Sequence, residues 1–397
     1  MSVHRAGPRM ALAVGLITLM LGLPGSARAA ASSEVSGPSN FVVDYGGDIA
    51  SNGGRLLVTV TGASEPGDVR TQVFARQGTR WRAISKQFPS LYRGSNNIYF
   101  LRFGAKRLVP CISYVDRTDE GQFRCRDGKR WRPLKVARPL RKMDHFFEAN
   151  ATNGRLAAFY MSVSKPNSNP KLETTKIRIA EKRGWRIVPK GPAGVFQCRC
   201  SGAIGQQTTD ARSGLVDVGL NALYTTRFIA TLGPKGWSRS KNYLPPTRPS
   251  IVGSQFGPIR TSRSLFVPVH TISWEEPWTL SVYGRERGGD WTQVGDRTLN
   301  IGAGNTQGAI LPIGNRVWAM WEDYPVDGTD DPTSIYASRI NKTGTDYDRT
   351  IKLWSGPFGT MSGYDATEFR GSPVFLYTRA NDGDNRLGHL VVDMSHD

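Results

Sequence analysis

Phe123-Arg-Cys-Arg-Asp-Gly-Lys-Arg-Trp131 is the clearest copy of a signature that occurs five times in this 397-residue chain. In each copy an alternating strand leads into a short glycine-containing turn, and a tryptophan follows at the start of a second short strand. The copies end at Trp81, Trp131, Trp185, Trp237 and Trp291, which are 50, 54, 52 and 54 residues apart. A weaker sixth copy places Tyr347 at 56 residues beyond Trp291. This period predicts a repeat fold in which the tryptophans occupy equivalent packing positions.

An apolar run precedes each hairpin, and a more polar strand precedes that run, so each repeat predicts about four strands. Four-stranded units at this spacing are typical of an all-β fold, the β-propeller, in which each sheet forms one blade. The length beyond residue 29 fits about seven blades, and six is the alternative. The last unit, from Tyr364, is one strand short. We expect an N-terminal strand to complete it, and Asn40 to Asp44 form either that strand or the first strand of blade one.

The composition agrees with a globular protein rich in turns. Hydrophobic residues make up 39% of the chain, and its 44 glycines and 24 prolines are spread throughout, which argues against both disorder and an all-helical fold. The net charge of +19 predicts an anionic partner, and a cell-envelope polymer or glycan is the class we favour. The basic residues are scattered along the sequence, which argues against nucleic acid.

Residues 1–29 have the features of a signal peptide. Arg5 and Arg9 precede an apolar run from Ala11 to Leu23, and the small residues Ala27 and Ala29 predict cleavage before Ala30. The run is shorter than the roughly 20 residues that span a bilayer, which disfavours the alternative of a membrane anchor. We therefore expect an exported protein with one propeller domain over residues 30–397, no later transmembrane segment, and a net charge of +16.

Four cysteines occur in the chain: Cys111, Cys125, Cys198 and Cys200. In an exported protein an even number favours disulfides, and local pairing predicts Cys111–Cys125 and Cys198–Cys200. A zinc site is the alternative, but neither pair has the usual C-x2-C spacing.

The hairpins resemble the Asp-box turn of sialidase-like (BNR-repeat) propellers. Gly78-x-x-Trp81, Gly128-x-x-Trp131 and Gly288-x-x-Trp291 look like degenerate copies, because the Ser or Thr and the Asp that the motif places before the glycine are missing; Asp127 lies one residue too late. The resemblance implies a propeller. A sialidase would in addition need an arginine triad, a Tyr/Glu nucleophile pair and an acid/base Asp, which cannot be assigned to residues of this sequence.

Aromatic and charged residues follow the predicted second strand of several blades, at the face where propellers bind ligands. We predict a ligand-binding mouth formed by these residues: Trp274, Glu275, Glu276, Trp278, Trp321, Glu322, Asp323, Tyr324, Tyr377 and Arg379. Aromatic faces stack on sugars or hold cations, while carboxylates bond hydroxyl groups or cations. The alternative is that the aromatic residues pack between blades and the acids are solvated.

The oxygen-rich loops Asp327–Asp331 and Asn381–Asn385 are candidates for calcium, although neither has EF-hand spacing and no cofactor is predicted. The leading interpretation is a non-catalytic binding or scaffold module outside the cell. A sialidase-like glycoside hydrolase is the alternative. Because much of the positive charge lies near the repeated hairpins, we expect a basic hairpin face opposite an acidic, aromatic mouth.

Overall fold

The structure of the chain is a computed structural model. It describes residues 33–35, 47–63, 67–90, 96–105, 107–164, 173–197, 200–204, 206–207, 214–222, 227–240, 257–271, 278–286, 289–295, 299–302, 308–323, 333–356, 365–381 and 384–394. The predicted signal peptide, Asn40 to Asp44 and the loop Asp327–Asp331 lie outside these ranges.

The described residues form seven sheets, each built around four antiparallel strands, which confirms the predicted propeller of seven blades. Two of the sheets also gain a short parallel strand at one edge. After the short strand β1 (Ser33–Val35), blade one contains β2 (Ile49–Ser51), β3 (Leu56–Ala63), β4 (Val69–Gln77), β5 (Arg80–Ala83) and β6 (Phe88–Pro89). Blade two contains β7 (Asn97–Phe103), β8 (Arg107–Val115), β9 (Gly121–Asp127) and β10 (Arg130–Pro133). Blade three contains β11 (Lys135–Val136), β12 (His145–Thr152), β13 (Arg155–Val163), β14 (Thr175–Arg183) and β15 (Arg186–Phe196). The helix α1 (Arg138–Arg141) lies between β11 and β12. No helix among the described residues has both the length and the apolar character needed to cross a membrane.

The sheets of blades four to seven follow the same plan. Blade four contains β16 (Cys200–Ile204), β18 (Val216–Ala222), β19 (Arg227–Gly233) and β20 (Gly236–Arg239), and blade five contains β17 (Gln206–Gln207), β21 (Ile259–Arg260), β22 (Ser264–Thr271), β23 (Trp278–Glu286), β24 (Thr292–Gln293) and β25 (Leu299–Gly302). Blade six contains β26 (Ala309–Ile313), β27 (Arg316–Asp323), β28 (Thr333–Ile340) and β29 (Tyr347–Gly356). Blade seven contains β30 (Asp365–Phe369), β31 (Ser372–Asn381) and β32 (Asp384–Asp393). The first strands contact one another from blade five through blades six, seven, one, two and three to blade four, so they surround the central axis.

An N-terminal strand closes the ring, as expected, but it is β1. Ser33, Glu34 and Val35 pair antiparallel with Val392, Val391 and Leu390 of β32, which completes blade seven. The first strand of blade one is β2. Pairing of the two chain ends within one sheet leaves blade seven without a missing strand.

The core consists of seven apolar clusters, and each lies between two adjacent blades. The second strand of each blade is largely apolar on both faces, because each blade packs against a neighbour on either side. For example, β3, the second strand of blade one, is buried along almost its whole length. At the seam between the last and first blades, Val35 packs with Leu376, Val392 and Ile49.

The hairpin tryptophans join successive blades, although their registers differ. Trp131 Nε1 donates to the Ile84 carbonyl of blade one at 3.0 Å, and Trp237 Nε1 donates to the Pro192 carbonyl of blade three at 2.9 Å. Trp185 packs on Phe103 of blade two, with ring centroids 4.7 Å apart. Each of these rings therefore seals the interface with the preceding blade.

The predicted equivalence holds for Trp81, Trp131 and Trp237, which occupy the second position after their turns. It is wrong for Trp185, which lies within its two-residue turn, and for Trp291, which precedes β24. The glycine directly before Trp185 moves that tryptophan into the turn.

The disulfide Cys111–Cys125 is present as predicted. Both cysteines are buried and lie directly opposite each other on β8 and β9, with their Cα atoms 4.0 Å apart. Cys198 lies outside the described residues, so the Cys198–Cys200 pair stays a prediction.

Candidate functional site

The propeller has two faces with different chemistry. Because each blade is an antiparallel meander, the beginning of its first strand and the end of its second strand lie at one face, here called the upper face. The turns between first and second strands, and the hairpins between third and fourth strands, lie at the opposite, lower face. The predicted mouth residues belong to the upper face and the basic hairpins to the lower face.

Three of the predicted mouth residues end β27 at the upper face. Trp321 is 8% exposed and stacks with Tyr336, with ring centroids 5.5 Å apart, in the core between blades five and six. Glu322 is buried, while Asp323 is exposed. Partial desolvation raises the pKa of Asp323, and the charge of Lys352 opposes this shift.

Tyr377 of blade seven is also buried, in the cluster between blades six and seven. These positions agree with the alternative in which upper-face aromatic residues pack between blades. Trp278 begins β23 and Arg379 lies in β31, but their side chains are not described; Trp274, Glu275, Glu276 and Tyr324 lie outside the described residues. Ligand binding by this set stays a prediction.

A pair of carboxyl groups lies at the upper end of the central channel. Asp48 precedes β2 and Asp365 begins β30, so the pair joins the first strands of blades one and seven. The Ile49 amide donates to Asp48 Oδ1 at 3.1 Å and to Asp365 Oδ2 at 2.7 Å. The remaining oxygens accept from the amides of Ile98, at 2.5 Å, and Ala366, at 2.8 Å.

The surroundings of this pair favour its protonated form. Burial, followed by the charge and hydrogen bond of Asp365, raises the pKa of Asp48 well above its usual range against the opposing backbone amides. Burial also raises the pKa of Asp365. Two carboxyl groups this close do not both ionise readily, so the pair keeps a proton at pH values where ordinary carboxyl groups have lost it.

Polar groups continue along the upper face into blade two. Asn96 Nδ2 donates to Thr61 Oγ1 at 2.9 Å, while Asn96 Oδ1 and Asn97 Oδ1 are buried without a hydrogen-bond partner among the described residues. Three successive first strands, in blades seven, one and two, therefore begin with oxygen-bearing side chains.

The lower face carries many exposed cations. On the hairpins of blades one to four these are Arg80, Arg82, Lys129, Arg130, Arg132, Arg183, Arg186, Lys235 and Arg239. Two of them have acidic partners: Arg132 pairs with Asp127 at 2.8 Å and Arg183 with Glu181 at 2.7 Å. The exposed cations of these four hairpins thus lie at the lower face, and a basic binding face there stays a prediction.

A second group of cations lies nearer the axis, at the turns between first and second strands. An arginine occurs within two residues of the start of the second strand in blades one, two, three, five, six and seven: Arg55, Arg107, Arg155, Arg263, Arg316 and Arg370. Since first strands surround the axis, these arginines lie around the lower end of the channel.

Comparison with known proteins supports the fold and nothing finer. No protein-family model matches the chain, and no curated protein matches it in sequence. A sialidase of Trypanosoma rangeli, solved with sialic acid, matches 93% of the chain at 13% identity with a TM-score of 0.42, and the chain spans 57% of that protein. A Dyadobacter fermentans protein of unknown function matches 92% of the chain and 98% of its own length at 12% identity, with a TM-score of 0.46.

A subtype N10 neuraminidase-like protein of A/little yellow-shouldered bat/Guatemala/060/2010 matches 93% of the chain and 99% of its own length, at 9% identity and a TM-score of 0.39. The chain therefore resembles sialidases and neuraminidases only in having a β-propeller fold. Identities this low carry no activity from those proteins to this one.

Sequence reasoning did not find the carboxyl pair or the arginines of the inner turns. A signal for each was present. Asp48 and Asp365 both lie at the beginning of a first strand. The apolar runs that follow the inner turns share an initial arginine: Arg55, Arg107, Arg155 and Arg316. Only the ring topology shows that equivalent positions in separate repeats meet around one axis.

Proposed function

We propose that this protein is an extracellular binding module that attaches to an anionic polysaccharide through its lower face. The observation that carries the proposal is the concentration of exposed arginine and lysine on the lower-face hairpins and inner turns. Arginine suits this role because its planar guanidinium group binds carboxylate or sulfate with two hydrogen bonds. The disulfide between Cys111 and Cys125 supports an oxidising compartment outside the cell.

A polysaccharide fits the lower face better than a membrane or a single-stranded nucleic acid. Among the described residues, the exposed large hydrophobic side chains are Leu108 and Val195, which form no apolar patch for insertion into a bilayer. Single-stranded nucleic acids are bound largely by stacking of bases on aromatic rings. Here Trp131, Trp185 and Trp237 are engaged between blades.

Binding to polygalacturonate and dextran sulfate, immobilised on beads, tests this function. We expect retention at low ionic strength and release between about 0.1 and 0.5 M salt, because salt screens attraction between exposed charges. The variant K129Q/R130Q/R132Q should elute at lower salt than the wild type. Retention that is the same for both proteins and at all salt concentrations would contradict the proposal, as would absence of retention at low salt.

The alternative function, glycoside hydrolysis, gains no support from the carboxyl pair. Glycosidases hold their two carboxyl groups about 5–10 Å apart so that sugar and water fit between them. Asp48 and Asp365 instead share one backbone amide and hydrogen-bond to each other. Release of 4-methylumbelliferone from its sialoside by the wild type would nevertheless favour the enzyme.

A further inference from the structure

Four of the six inner-turn arginines form an unpaired set on consecutive blades. Arg263, Arg316, Arg370 and Arg55 belong to blades five, six, seven and one, and we call them the arginine arc. None of them has an ion pair with a described residue. The arginine of blade two differs, because Arg107 lies 3.7 Å from Asp127.

Arg370 occupies a backbone conformation that disfavours its side chain. The two-residue turn between Phe369 and Ser372 has φ of 56° at Arg370 and 89° at Gly371. Such turns prefer asparagine followed by glycine, and Asn153-Gly154 forms the corresponding turn of blade three with φ of 51° and 75°. An arginine at this position costs stability, so it points to a role other than folding.

A second arginine, Arg76, interacts electrostatically with Arg370 across the seam between blades seven and one. Burial, and after it the positive charge of Arg370, lowers the pKa of Arg76 on β4. Two cations held together in this way repel each other, and an anion bound between or beside them removes the repulsion. The seam between blades seven and one thus carries two positive charges that interact with each other.

We infer that the arginine arc is the specific recognition site for the polysaccharide, with the arginines of successive blades binding successive carboxylate or sulfate groups along one chain. This inference rests on the proposed function and narrows it, because the hairpin cations then provide general attraction while the arc provides the defined contacts. Regularly spaced charges suit an arc in which each blade presents one guanidinium group.

The test compares two double variants that each remove two positive charges. R55Q/R370N changes the arc, and asparagine at position 370 suits the left-handed turn. R70Q/R117Q is the matched control, because both arginines lie at the upper face, where they pair with Asp68. Affinity for polygalacturonate of defined length is measured at 50 mM salt, together with the melting temperature of each protein.

We expect R55Q/R370N to lose about tenfold or more in affinity while its melting temperature equals or exceeds that of the wild type. R70Q/R117Q should lose less than about threefold. Equal losses of affinity in the two variants, with wild-type binding intact, would overturn the inference that the arginine arc is the recognition site. They would leave the proposed function standing. Failure of the wild type to bind would overturn both. Tighter binding of duplex DNA than of polygalacturonate would overturn the assignment to a polysaccharide.

Discussion

Asp48 and Asp365 accept a hydrogen bond from the same backbone amide, that of Ile49, across the seam between the first and last blades. The two residues are 317 positions apart in sequence and meet because the ring closes there. No described cation forms an ion pair with either carboxyl group. The raised pKa of both carboxyl groups therefore favours retention of a proton in place of a counter-charge at this seam.

The pair predicts an unusual dependence of stability on pH. A carboxyl group whose pKa is raised on folding binds its proton more tightly in the native state. Its contribution is complete below the unfolded pKa, near 4, and is lost as the pH rises through the folded pKa. In the variant D365N, the amide can donate to Asp48 in place of the shared proton. We expect its free energy of unfolding at pH 7 to exceed that of the wild type by about 1 kcal/mol, and urea denaturation measures this.

Asp116 provides a control of opposite sign. Its carboxylate accepts from the Thr118 hydroxyl at 2.6 Å and from Gln122 Nε2 at 2.6 Å, and these and the nearby amides lower its pKa despite opposing desolvation. A lowered pKa contributes stability above the unfolded pKa, and this contribution is lost as the pH falls through the folded value. D116N should therefore lose stability at pH 7. An equal loss in D365N would refute the shared-proton interpretation.

The disulfide between β8 and β9 should contribute substantially to stability. It closes a loop across a sequence separation of 14, for which the restriction of the unfolded chain corresponds to about 3 kcal/mol. We expect C111A/C125A to unfold at correspondingly lower urea concentration. The matched measurement is the wild type unfolded with and without reductant. If reduction leaves the wild-type transition unchanged, the disulfide has no such role.

The closing strand β1 gives a prediction specific to the ring. Val35 is 2% exposed and packs with Leu376 and Val392. V35D places an unpaired charge in this cluster, and we expect a loss of more than about 3 kcal/mol in the free energy of unfolding. The control is V195D, because Val195 is 65% exposed. Similar stabilities of the two variants would mean that β1 does not close the ring.

Repetition made the architecture predictable. The spacing from Trp81 to Trp291 predicts units of four strands, and a short last unit predicts closure by the N-terminus, because a sheet with a missing strand has an unpaired edge. The identity of the closing strand was not predictable, since Ser33–Val35 has only three paired residues and no periodic signal. The shift of Trp185 into a turn depends on one local glycine.

The candidate sites were predictable only in part. The hairpin cations stand out because they are adjacent in sequence, as in Arg124 to Arg132. Whether an aromatic residue faces a ligand or a neighbouring blade depends on which side of its strand is buried. In these blades both sides of the strand pack against neighbouring blades. Burial of Trp321 and Tyr377 follows from that packing. The contact between Asp48 and Asp365 arises from ring closure, which no local pattern encodes.

The most direct test of the central claim is arginine footprinting with phenylglyoxal, read by mass spectrometry, in the presence and absence of polygalacturonate. The polymer should protect lower-face arginines, above all Arg55, Arg263 and Arg370, and should leave Arg117 on the upper face as reactive as before. Protection of Arg117 without protection of the lower-face set would contradict the account, because binding would then occur at the upper face.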